Sequence, residues 1–216
     1  MLASAQIDAT QSQFLNCLAH ATHERWPFDY WLLKNPLPDS TCEAIANLPV
    51  EPPTGAMFDG RREANNATRI YFSPEMQARH AVCREVADTF RNETIKAEIA
   101  ATTGARIADV RLRFEYCLDT DGFWLEPHVD IAVKRFTMLI YLSHDPQLRD
   151  AGTDVYDASP EHKLVARAPY EFNTGLIFVP GEDTWHGFAK RPIRGLRKSI
   201  IINYVAPEWR AVEELA

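Results

Sequence analysis

The chain has 216 residues, 46% of them hydrophobic and 25% charged, the composition of a globular protein rather than a disordered or fibrous one. Lys and Arg total 23 against 30 Asp and Glu, a formal charge of −7 that argues against nucleic-acid and membrane partners and leaves room for a small anion site. No apolar run approaches the roughly 20 residues needed to span a bilayer. The opening MLASAQIDATQSQF has neither the basic stretch nor the apolar core of a secretory leader, so the expected location is cytoplasmic. Cys17, Cys42, Cys83 and Cys117 are widely spaced and read as buried thiols, not as a zinc site or a redox pair.

In chain order, residues 28–34 read as a short strand after Pro27, and Ser40 to Glu43 as a capping box opening a helix that runs to about Leu48. Residues 51–69, rich in proline, glycine, charge and asparagine, have the composition of a long loop, either a lid or binding segment or a disordered stretch. Ser73 and Pro74 open a helix with Met76, Cys83, Val86 and Phe90 on one stripe, and a further helix covers about 93–102. Beyond Gly104 the pattern changes to β-branched and aromatic runs separated by turn residues. Eight candidate strands follow, within 108–118, 124–130, 135–143, 152–157, 162–168, 175–181, 183–188 and 197–205. No helix-length pattern separates them, so antiparallel pairing is expected. The fold class is mainly β (α+β), a jelly roll or barrel over 108–205 with the helices of 1–107 packed on one sheet, the whole forming a single domain over 1–216.

Seven histidines are spread along the chain, and one opens a triplet of His, any residue, and Asp or Glu, namely His128-Val129-Asp130. With 30 acidic residues in 216 positions, about one such triplet is expected by chance, so its setting carries the weight. Residues two apart on a strand share a face, which lets this imidazole and carboxylate converge. A second imidazole, His186, stands 56 residues after Asp130 on another candidate strand. Two histidines and a carboxylate on one face of an ion, with open positions opposite, form the facial triad of non-heme Fe(II) oxygenases.

From about Arg113 to Tyr204 the chain resembles the 2-oxoglutarate and Fe(II)-dependent dioxygenases, most closely the prolyl 4-hydroxylase-like branch. The matching residues, in order, are Tyr116, Gly122, His128-Val129-Asp130, Tyr141-Leu142, Gly152-Thr153, His186 and Arg197-Lys198-Ser199. The resemblance implies a double-stranded β-helix, a form of jelly roll. It implies Fe(II) held by His128, Asp130 and His186, with 2-oxoglutarate as cosubstrate and O2 as oxidant. It also implies hydroxylation of a C–H bond in a small-molecule or peptidyl substrate, with release of succinate and CO2. Arg197 is the residue expected to grip the distal carboxylate of the cosubstrate, helped by Ser199, Tyr141 and Tyr116. Strand alternation puts Arg197, Ser199, Ile201 and Asn203 on the interior face and Lys198, Ile200, Ile202 and Tyr204 on the other, whereas Arg194 falls in a turn. Gly152-Thr153-Asp154 stands where many relatives have paired glycines, and the segment from Tyr116 to His128 is longer than in protein-prolyl hydroxylases. Both departures bear on substrate shape. The carboxylate at Asp130 disfavours halogenation, since halogenases have a small residue there. The contrasting class is a catalytically inactive metal-binding jelly-roll protein with a ligand-binding role. The primary substrate and the oligomeric state are not legible in the sequence.

Overall fold

The computed structural model describes residues 2–52, 54, 58–61 and 69–216. Its strands are β1 (Thr22–Glu24), β2 (Tyr30–Lys34), β3 (Arg69–Tyr71), β4 (Arg111–Asp119), β5 (Leu125–His128), β6 (Lys134–Tyr141), β7 (Asp154–Tyr156), β8 (Leu164–Arg167), β9 (Thr174–Phe178), β10 (His186–Phe188) and β11 (Arg197–Val205). They make two antiparallel sheets, a seven-stranded one in the order β1-β2-β9-β6-β11-β4-β3 and a four-stranded one in the order β5-β10-β7-β8. The helices are α1 (Leu2–Ala19), α2 (Asp39–Ala46), α3 (Pro74–Arg79), α4 (Ala81–Arg91) and α5 (Glu93–Thr103). Each of the eight expected back-half strands is present.

The large sheet is covered on both faces, by helices on one side and by the small sheet on the other, and its long strands turn their apolar set toward the helices. Leu112, Phe114, Tyr116 and Leu118 of β4, with Ile200, Ile202 and Tyr204 of β11, point outward into the main core beneath the helices. Phe114 stacks on Phe72 at 5.3 Å and meets Phe90 of α4 edge-on at 5.8 Å. The opposite face turns Leu139, Tyr141, Leu176 and Phe178 toward the small sheet, where they pack with Val155 and Phe188. Helices on one face and a second sheet on the other leave the site between the sheets. All four thiols are buried, and burial pushes Cys42 and Cys83 up to about 12 and Cys17 to about 11, so those three stay protonated at neutral pH.

Several expectations for the front half need correction. The capping box does not form: α2 begins at Asp39 after Pro38, with no side-chain cap. Asp39 instead accepts a 2.7 Å bond from the Asn173 amide, tying the helix start to the end of the β8–β9 connection. The helix expected from Ser73 onward is two helices separated by His80, which is extended at φ −129° and ψ 111°. Ser73 does cap the first of them, accepting from the Met76 N–H. Residues 51–69 are not loop throughout, because Arg69 begins β3, which pairs with β4. Of the lid expected there, the described part lies beside β5, where the Gly60 carbonyl accepts from the Glu126 N–H at 2.9 Å and the Phe58 carbonyl accepts from the Trp124 indole. The rest lies outside the described residues. The front half is also more than a helical support, since β1, β2 and β3 extend the large sheet at both edges.

Gly152 fits where no side chain would. A Cβ there would stand 1.7 Å from the carbonyl oxygen of Ala168, on the strand-to-strand approach that seats Thr153. Gly152→Ala is therefore expected to destabilise the protein by about 1–3 kcal/mol, the usual cost of overpacking, read as a lower midpoint in urea denaturation.

Candidate metal centre and anion pocket

The small sheet brings the two imidazoles together. β5 and β10 run antiparallel with His128 directly opposite His186, and the rings lie 4.3 Å apart between centroids. On each ring Nδ1 bonds a carbonyl two residues back, Glu126 O for His128 and Thr184 O for His186, both at 2.9 Å. These carbonyls fix the ring orientation and tautomer and make Nε2 the nitrogen for a metal, as supporting groups do around known centres. Asp130 completes the group, and one donor atom from each of the three residues lies within 4.8 Å of the others.

Asp130 reaches this position by a route other than strand alternation. β5 ends at His128, and Asp130 lies in the connection to β6. Two side chains of β6 hold it: Lys134 Nζ donates to one carboxylate oxygen at 2.6 Å and Thr137 Oγ1 to the other at 2.8 Å. The Lys134–Asp130 pair is almost wholly buried, each side chain 2% exposed.

The last strand has the expected register. Arg197, Ser199 and Asn203 are buried on the interior face, and Arg197 and Ile201 line the same cavity as His128, Asp130 and His186. Arg194 is exposed. Arg197 donates from Nε to the Ala151 carbonyl at 2.7 Å and from Nη1 to Asp119 at 2.5 Å. Its guanidinium is bordered by Phe188 at 4.9 Å, Tyr170 at 5.8 Å and Tyr141 at 5.9 Å. Burial pulls the Arg197 guanidinium toward deprotonation, but Asp119, with Tyr170 and Tyr141, outweighs that and holds its pKa above the ordinary value. Tyr141 is buried, donates to Thr153 Oγ1 at 2.9 Å and accepts from the Thr153 N–H. Ser199 Oγ is buried and makes no hydrogen bond to any described residue.

Tyr116 does not belong to this group. On β4 the interior face carries Arg113, Glu115, Cys117 and Asp119, so Tyr116 falls on the helix side, where its hydroxyl donates to the Ala46 carbonyl at 3.3 Å. Tyr116→Phe is expected to cost about 0.5–1.5 kcal/mol of stability, one hydrogen bond, and to leave anion affinity unchanged by titration calorimetry.

Sequence reasoning also missed Asp119, Arg69, Lys134 and the Arg113 cluster. Asp119 bridges Arg197 and Arg69, the latter at 2.6 Å. Arg113 pairs with Glu115 and with Glu214, and its guanidinium is bordered by Tyr71 and Trp209, each ring 4.9 Å away. A signal existed: in RLRFEYCLD every second residue is charged or thiol-bearing, and on a strand those positions share a face.

The donor set suits a divalent metal with a dicarboxylate. Among the described residues around the cavity, Arg69, Arg113, Lys134 and Arg197 are paired with Glu115, Asp119, Asp130 and Glu214, so the cluster is formally neutral when the histidines are neutral. A divalent ion alone would leave two positive charges in a low-dielectric space, and a dianion restores the balance. The cavity measures about 50 Å³, several times the roughly 10–15 Å³ that one water needs. Its fully buried neighbour Ser199 offers an unused hydroxyl on the strand that bears Arg197. An open cleft of about 800 Å³ adjoins the centre, lined in part by His128, Asp130, Ile131, Lys134 and Trp209.

No family model and no curated protein sequence matches the chain. Solved structures do. A prolyl-4-hydroxylase from Pseudomonas putida aligns over 96% of this chain and 93% of its own, with 16% identity and a TM-score of 0.54. A prolyl hydroxylase from Trichoplax adhaerens, solved with a peptide fragment of the hypoxia inducible factor oxygen degradation domain, aligns over 95% and 93%, with 13% identity and a TM-score of 0.57. The viral collagen prolyl hydroxylase of Paramecium Bursaria Chlorella virus-1 aligns over 83% and 90%, with 15% identity and a TM-score of 0.51. At these identities the likeness is one of fold, and the chain has the fold of the prolyl 4-hydroxylases.

Proposed function

We propose that this protein is a 2-oxoglutarate and Fe(II)-dependent hydroxylase built on a double-stranded β-helix, acting on a C–H bond of a small polar molecule or a peptidyl residue. The observation that carries the reading is the sharing of one buried cavity by the His128–Asp130–His186 group and the Arg197–Asp119 pair. With Fe(II), 2-oxoglutarate and O2 bound, such a centre decarboxylates the cosubstrate to succinate and CO2 and places one oxygen atom in the substrate C–H bond.

In this reading His128, Asp130 and His186 hold the metal, and Arg197 holds the distal carboxylate of the cosubstrate through charge-assisted hydrogen bonds. Ser199 supplies a further hydroxyl donor. Tyr141, its hydroxyl held by Thr153, sets its ring beside the Arg197 guanidinium at 5.9 Å. Lys134 and Thr137 orient Asp130 before metal arrives, so the site needs little rearrangement to load. The substrate enters by the adjoining cleft. A peptidyl substrate agrees with the peptide held by the Trichoplax relative, and a small polar molecule agrees with the charged lining. We place the enzyme in the cytoplasm.

A mass-spectrometric screen of extract fractions tests the reading. It predicts a product heavier by one oxygen atom that forms only with 2-oxoglutarate present. No such product from any fraction, with metal and 2-oxoglutarate shown to be bound, would favour the inactive binding protein.

A further inference from the structure

Arg69 enters the chain at the end of a segment whose composition reads as loop, yet it is among the most enclosed cations in the molecule, its side chain 7% exposed. β3 sets it opposite Cys117, Cys117 opposite Ser199, and Ser199 opposite Tyr141, so one rung across the large sheet carries Arg69, Cys117, Ser199 and Tyr141. Arg197 and Asp119 form the next rung on the same face. Arg69 Nη1 and Arg197 Nη1 donate to different oxygens of the one carboxylate, at 2.6 Å and 2.5 Å. Both arginines line the cavity that holds the metal group.

Arg69 and Arg197 share the single carboxylate of Asp119, while Glu115, 4.0 Å from Arg69, and Glu214 are engaged by Arg113, so within a cluster that is neutral as a whole the positive charge is concentrated at the Arg69–Arg197 end. Two guanidiniums that share one carboxylate favour an anion beside them over a neutral group. We propose that Arg69 is a second binding residue for the distal carboxylate of the dicarboxylate cosubstrate, acting with Arg197, while Asp119 fixes the spacing of the two guanidiniums. This rests on the function proposed above. It assigns selection of a dicarboxylic over a monocarboxylic 2-oxoacid to a pair of arginines on two strands rather than to one.

The test is calorimetric, with Mn(II) in place of iron and O2 excluded, titrating the whole protein with 2-oxoglutarate and with 2-oxobutyrate, which lacks the distal carboxylate. Arg69→Met should weaken 2-oxoglutarate binding at least about tenfold, the scale of one charge-assisted hydrogen bond, and change 2-oxobutyrate binding less than about twofold. Arg69→Lys keeps the charge, loses the fork and tolerates folding better. It should lose at least about threefold toward 2-oxoglutarate alone. Affinity for 2-oxoglutarate within about twofold of wild type in Arg69→Lys and in any folded Arg69→Met, with Arg197→Leu impaired, overturns the role of Arg69 and leaves the proposed function standing. Equal loss toward both acids overturns it too, since that marks a general collapse of the cavity. A wild-type protein that binds Mn(II) but neither acid removes the proposed function together with this inference.

Discussion

Asp130→Ala is expected to abolish divalent-metal binding and to destabilise the metal-free protein by about 3–5 kcal/mol, the range for removing one partner of a buried ion pair. His128→Ala and His186→Ala should share the first effect and not the second. The difference lies in what each side chain touches. Each histidine bonds a backbone carbonyl through Nδ1, and truncating it leaves no charge behind. Asp130 is the carboxylate that Lys134 contacts at 2.6 Å with both side chains 2% exposed. Without it, an ammonium inside the protein loses that partner. Metal affinity should fall by more than about 100-fold in all three, beyond the 10–100-fold typical when only an outer-shell partner is removed. Mn(II) titration reads the first effect and urea denaturation of the apoprotein the second. Asp130→Ala with wild-type stability would mean that the Lys134–Asp130 contact contributes little. Wild-type metal affinity in any of the three would remove that residue from the ligand set.

Arg197→Leu has the second largest expected effect. Its guanidinium is held by the Ala151 carbonyl and by Asp119, both buried. Leucine leaves Asp119 with Arg69 as its remaining ion-pair partner and removes the closest cation on β11. Binding of 2-oxoglutarate should weaken by at least ~1.5–3 kcal/mol, the scale of a hydrogen bond to a charged group. Stability should also fall. Arg194→Leu, at an exposed turn position, should change either quantity by less than ~0.5 kcal/mol. Titration of both variants with 2-oxoglutarate and Mn(II) checks this, and the reverse ranking would show that the cavity does not face Arg197.

Both expectations draw on what the sequence makes legible. The period-two alternation of RKSIIINYV is enough to put Arg197, Ser199 and Asn203 inside and Ile200, Ile202 and Tyr204 beneath the helices, because a slip by one residue would turn the apolar set toward the charged cavity and Arg197 into the helix-covered core. His128 and His186 are legible because each lies on a strand, and strand pairing then sets them face to face. The elements missed share one cause, that their placement is decided by distant partners. Arg69 has the sequence neighbours of a loop residue and becomes a strand residue through pairing with β4. Tyr116 matches the family pattern by position, yet its strand parity turns it toward Ala46. Helix α1 was not expected, and its described buried positions, Thr10, Phe14, Cys17 and Leu18, make a short stripe in an otherwise polar stretch. The Ser40–Glu43 box yields to a contact between Asp39 and Asn173, residues 134 positions apart.

In the proposed enzyme one cavity holds Fe(II) and 2-oxoglutarate together. The most direct measurement adds Fe(II) and then 2-oxoglutarate to the protein without O2 and records the visible spectrum. The expected result is a weak charge-transfer band that needs both components, is absent in His186→Ala, and is lost with formation of succinate when air is admitted. Binding of Fe(II) with no such band at saturating 2-oxoglutarate, and no succinate in air, would contradict it.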